Sequence, residues 1–131
     1  MENNQKNSPD NSLLKGQGKD RIILLQLIRR QVEKGTNWPF NQILIKYSDI
    51  KRYHLALTYV TTSNKAICEA MKIPVEAGTW YKADLEKAGY LVASTNQFKC
   101  PYTGEMVQFL STNPAEFDRL KKTKDTQLKL F

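Results

Sequence analysis

Few side chains in this chain are equipped for covalent or metal chemistry, and they do not cluster. His54 is the one histidine, and Cys68 and Cys100 stand far apart with no paired-cysteine motif beside either. A zinc site needs four such ligands at close spacing, and a nucleophilic triad needs a histidine with a partner acid. Neither set can be assembled here. Gly78, Gly89 and Gly104 are isolated, so no glycine loop cradles a phosphate. Cys68 reads as a small core residue. Cys100, which opens a Cys100-Pro101-Tyr102-Thr103-Gly104 turn, is a strand-end core residue or an exposed thiol, and His54 a partly buried or surface histidine. The expectation is a non-enzymatic protein with no metal and no cofactor.

What remains is non-covalent recognition, and residues 63–91 are the stretch organised to supply it. Ser63 is placed to cap a helix whose apolar stripe is Ile67, Cys68 and Met71. Pro74 stands at the start of a second helix, where its missing N–H costs nothing. Ala77, Tyr81, Leu85 and Ala88 then recur at helical spacing, and Gly89 supplies the stop. A short helix, a turn and a second helix can hold that second helix in a DNA groove.

These residues resemble the helix-turn-helix family in its winged variant, over about residues 48–111. Ile67 and Met71 match the inward positions of the first helix, Ile73 the apolar position after the turn, and Tyr81 an inward position of the second helix. Leu85-Glu86-Lys87-Ala88-Gly89-Tyr90-Leu91-Val92 is similar to the hinge that leads from recognition helix to wing. There are two departures. Lys72 stands where the family prefers a glycine able to take positive φ, and Gly78 where a buried aliphatic is usual, so the helices pack either more closely or less firmly. The whole chain also resembles short helix-turn-helix proteins of bacteria and their mobile elements.

The resemblance implies that the outward face of the second helix meets double-stranded DNA through Val75, Glu76, Thr79, Trp80 and Ala83, with Lys82 nearby. Thr79 can donate and accept at a base edge, and Val75 and Ala83 can meet a thymine methyl. Lys72, Lys82 and Lys87 flank that surface as phosphate contacts, with Lys99 in the wing, and Lys65, Lys51 and Arg52 could extend it. The opposing reading is that the second helix is not itself basic. It carries Glu76, Asp84 and Glu86 against Lys82 and Lys87, and no arginine lies between Arg52 and Arg119. An exposed Trp80 suits a protein interface as well as a groove.

Composition is compatible with either. The chain has 131 residues, 40% of them hydrophobic, which supports one domain with a real core. A formal charge of +7 favours an anionic partner without requiring one. No apolar run is long enough for a membrane span or a signal peptide, so a cytoplasmic location and no membrane partner are expected.

Around the motif, residues 1–18 are polar and read as a disordered segment, and 19–122 as the domain. A helix is expected from Asp20 to Lys34, with Leu24, Leu25, Leu27, Ile28 and Val32 inward, Arg29, Arg30 and Glu33 outward, and Gly35 ending it. Residues 42–47 suggest a short strand from their β-branched content. Ser48 can cap a helix from Asp49 to Val60 with Ile50, Tyr53, Leu57 and Val60 on one face. Residues 91–95, 97–100 and 106–111 read as the strands of a hairpin wing. Asn113, Pro114 and Glu116 then form a helix start. The expected fold class is mainly α with a small β-hairpin wing, a winged helix-turn-helix preceded and followed by an extra helix.

Residues 123–131 read as a tail. Its last five residues, Gln127-Leu128-Lys129-Leu130-Phe131, resemble the pentapeptide by which bacterial polymerases and repair proteins dock on the sliding clamp. By that resemblance Gln127 bonds at the rim, Leu128 fills a shallow pocket, and Leu130 with Phe131 enter a deeper one. The alternative is that these side chains cap the domain's own core. Two functions follow: a DNA-binding regulator or replication accessory of a bacterium, phage or mobile element, or an adaptor whose winged domain and tail bind replication proteins.

Overall fold

The computed structural model describes the backbone of residues 9–122 and the side chains from residue 20 onward. The elements run α1 (Pro9–Thr36), α2 (Phe40–Lys46), α3 (Asp49–Tyr59), α4 (Asn64–Met71), α5 (Val75–Lys87), β1 (Val92–Lys99), β2 (Met106–Ser111) and α6 (Pro114–Lys121). The fold is mainly helical with one antiparallel hairpin, a winged-helix-like arrangement with helices before and after it.

The centre is the packing of α3, α4 and α5. Tyr53 and Leu57 of α3 and Ile67, Cys68 and Met71 of α4 are fully buried, and Leu85 of α5 closes over them. The Tyr53 ring meets Tyr81 edge-on, with centroids 5.9 Å apart, and its hydroxyl donates to Asn64 Oδ1 at 2.7 Å. Gly78 explains how α5 comes so near α4. A Cβ on it would stand 2.2 Å from Cys68 Sγ, so this position brings the helices closer than any side chain allows.

Local signals set most boundaries. The Ser63 hydroxyl accepts the Ala66 N–H, and the Asn113 side chain accepts the Ala115 N–H with Pro114 in the first turn. Gly89, at φ 86°, ends α5, with Gly89 N–H bonded to the Glu86 carbonyl and Tyr90 N–H to that of Leu85. Lys72 takes the same left-handed conformation, φ 59°, at the end of α4, and Ile73 N–H reaches the Cys68 carbonyl at 2.9 Å. The turn therefore keeps the backbone that glycine would supply but gives it to a lysine. Lys72→Gly is expected to raise stability by about 0.5–1 kcal/mol, the relieved left-handed strain less the added freedom of the unfolded chain. A urea midpoint that moves down would contradict this.

The N-terminal third departs from expectation in four places. The first helix starts at Pro9, not Asp20, so residues 9–18, read as disordered, are helical. Proline is favoured in a helix's first turn, where its missing N–H goes unused. That helix does not stop at Gly35; the Tyr59 ring lies where a Gly35 Cβ would be, and Asn37, at φ 63°, makes the turn. Its buried stripe keeps Leu24, Leu25, Ile28 and Val32 inward as expected but loses Leu27. Leu27 is 52% exposed, while Arg29 turns inward to donate to the Ala70 carbonyl at 2.7 Å and to lie over the Phe40 ring. Finally, residues 42–47 are not a strand. Pro39 starts a helical turn there, its carbonyl accepting from Gln42 and Ile43, and burying Ile43 alone satisfies the core while Ile45 stays 79% exposed.

In the hairpin, Val92 pairs with Ser111 and Lys99 with Met106, with an irregularity between Ala93 and Gln97. Buried Ser94 fills it: its hydroxyl donates to the Asn96 carbonyl at 2.6 Å and accepts the Phe109 N–H at 2.9 Å. The bulged residues hold the end of α6, Thr95 Oγ1 donating to the Lys121 carbonyl at 2.7 Å. On the other edge, Thr62 exchanges both backbone hydrogen bonds with Leu110, which fixes the hairpin to the link between α3 and α4.

Candidate nucleic-acid interface

On α5, Glu76, Thr79, Trp80, Ala83, Asp84, Glu86 and Lys87 are exposed; Glu76, Thr79, Trp80, Ala83 and Lys87 follow one another along one face at helical spacing, with Asp84 at its side. Trp80, at 70% exposure, is its largest feature. Exposed Lys72 stands at the turn before the stripe, and exposed Lys99 lies at the hairpin end of β1.

Two expected members stand apart. Val75 is half-buried against the core. Lys82 turns to the flank, where its ammonium bonds Glu86 at 2.9 Å and lines a cavity facing the hairpin. Lys65 is half-buried and pairs along α4 with Glu69 at 3.7 Å. Thr79 donates its hydroxyl proton to the Val75 carbonyl at 3.1 Å, which leaves it able to accept at a base edge and not to donate.

Arg52 is not part of any outer footprint. It is 7% exposed, and its guanidinium donates to the carbonyls of Met71 at 3.2 Å and Tyr47 at 2.8 Å and to Asp49 Oδ1 at 2.6 Å. It ties the ends of α2 and α4 together, so it holds the turn before α5 in place. Nothing local in the sequence marks Arg52 as different from exposed Lys51; its partners are carbonyls brought there by the fold.

The titratable groups near the core are structural. Burial pushes the Tyr53 phenol far up, aided by nearby Cys68 and Glu86. Burial likewise raises the Cys68 thiol to about 12, with Glu69 adding to the shift and Lys65 opposing it. Neither ionises near neutrality. His54 packs on the Tyr90 ring with centroids 5.7 Å apart, in keeping with a packed histidine. Among the described residues no group of three or more His, Cys, Asp or Glu could hold a metal, and no helix is long and apolar enough to cross a membrane. The tail positions Gln127, Leu128, Leu130 and Phe131 lie outside the described residues.

The class this geometry defines is a winged-helix-like domain that offers one helix face beside a hairpin. Comparison with models of known families, with curated proteins and with solved structures returns no match.

Proposed function

We propose that this chain is a non-enzymatic, duplex-DNA-binding winged-helix protein, a regulator or replication accessory that lays α5 in the major groove. The observation that carries this reading is the exposed stripe Glu76–Thr79–Trp80–Ala83–Lys87 beside the hairpin. An α-helix fits the major groove, a hairpin beside it can reach the adjoining backbone, and Lys72, Lys87 and Lys99 are the cations next to such phosphates. The net charge of +7 adds a sequence-independent attraction.

In the test, Lys72→Glu with Lys87→Glu weakens binding to duplexes of every sequence alike. Losing two phosphate contacts flattens the plot of log affinity against log salt by about 2. Unchanged affinity and slope in the double variant would remove α5 from the interface.

A second reading has its own observation. Trp80 is 70% exposed on a face where Glu76 and Asp84 offset the lysines, as befits the anchor of a protein contact. In that case the chain is an adaptor for replication proteins, and the Gln127–Phe131 tail is its ligand for the sliding clamp. Clamp binding by the full chain, lost on truncation after Thr126, with no duplex binding at low salt, would select this reading over the first.

A further inference from the structure

Between the start of α4, the flank of α5 and the hairpin lies a cavity of about 420 Å³. That is the size range of small-ligand pockets, about 300–1,000 Å³. Its lining is chemically divided. The hairpin contributes Val107, the buried Leu110 and the Glu105 carboxylate, while the helices contribute Asn64, Lys65 and Lys82. Asn64 Oδ1 is already taken, accepting from the Tyr53 hydroxyl at 2.7 Å and the Cys68 thiol at 3.7 Å. With the oxygen so placed, the two N–H donors of that amide are the part left for a ligand. The Ser63 hydroxyl takes the Ala66 N–H, which leaves the Asn64 and Lys65 N–H groups with no acceptor within the helix, and the helix dipole adds positive potential there.

The cations are not locked away. Lys65 and Lys82 pair with Glu69 and Glu86 one turn along their own helices, and such partly exposed pairs hold little energy against a competing anion. Cys100 lies in the same lining. Burial raises its thiol, but hydrogen bonds with the Ser63 side chain, the Thr103 side chain and the backbone of Thr103 and Tyr102 hold it below its usual value, so those groups are engaged by the sulfur.

We propose that the cavity binds a small monocarboxylate with a compact apolar body. The carboxylate is held by the Lys65 and Lys82 ammonium groups and the Asn64 amide, and the body lies on Val107. Binding there does not depend on the duplex reading.

Benzoate and hexanoate are the probes, titrated into the full chain without DNA and followed by two-dimensional amide NMR. The expected result is saturable shifts at Asn64, Lys65, Val107, Gln108 and Leu110 in the millimolar range, with benzylamine and benzyl alcohol at least tenfold weaker. In Lys65→Ala with Lys82→Ala, benzoate affinity falls at least tenfold while shifts elsewhere in the spectrum show the fold intact. No shifts up to the solubility limit, equal binding of benzylamine, or unaltered affinity in that variant would each overturn the proposal. Duplex binding is titrated separately. Its absence beside intact benzoate binding sinks the proposed function and leaves the pocket standing.

Discussion

Gly78→Ala is expected to destabilise the protein by about 2–3 kcal/mol, against the helix-propensity gain of about 1 kcal/mol that the same change gives at an open site. The steric effect wins because the new Cβ would lie 2.2 Å from Cys68 Sγ and 3.0 Å from Asn64 Oδ1. Neither neighbour has room to yield: Cys68 is fully buried, and Asn64 is held by the Tyr53 hydroxyl. Relief can come only from α5 moving off α4. The same logic specifies the rescue. Cys68→Ala removes the sulfur, so in the double variant most of the loss should return, leaving a large coupling energy between the two positions. Urea denaturation of the four proteins reads it directly. A single Gly78→Ala variant more stable than the parent would show that α4 and α5 do not pack as described.

Arg52→Ala should cost about 3–4 kcal/mol, the second large effect. The loss comes from carbonyls of Met71 and Tyr47 left without a donor in a site that water hardly reaches. The ion pair itself contributes little of this, because the Asp49 side chain is 42% exposed and can be solvated alone. Arg52→Lys keeps the charge but not the planar fork that spans two helix ends, so it should recover less than half of the loss. An Arg52→Ala variant within about 0.5 kcal/mol of the parent, the range of an ordinary surface substitution, would refute the arginine's structural role.

The difference between Arg52 and Gly78 shows where sequence reasoning reaches and where it stops. Caps and stops are local, and Ser63, Gly89 and Asn113 are where their chemistry predicts. The hairpin is local too, and so is the α4–turn–α5 unit that presents the candidate surface. Lys72 and Gly78 were visible as departures from the winged pattern; the geometry assigns one a left-handed turn and the other a close helix approach. Partners distant in sequence were not visible. Ile43, Leu44 and Ile45 have strand-forming side chains, but a single buried contact and Pro39 decide for helix. Leu27 and Arg29 exchange the sides expected of them because the Ala70 carbonyl, at the end of α4, needs a donor. The cavity lined by Lys82 exists only because Thr62 pairs with Leu110 and brings the hairpin to α4.

The central claim, that α5 enters a duplex, is tested most directly by the emission of Trp80. The chain has two tryptophans, and in a Trp38→Phe background Trp80 is the sole reporter. At 70% exposure in the free protein, it is expected to emit as a solvated indole. Adding duplex DNA at low salt should quench or blue-shift that emission saturably, and raising the salt should reverse the change as counterions compete. Duplex binding detected by an independent mobility shift while Trp80 emission stays fixed, or no binding at all at low salt, would contradict the account.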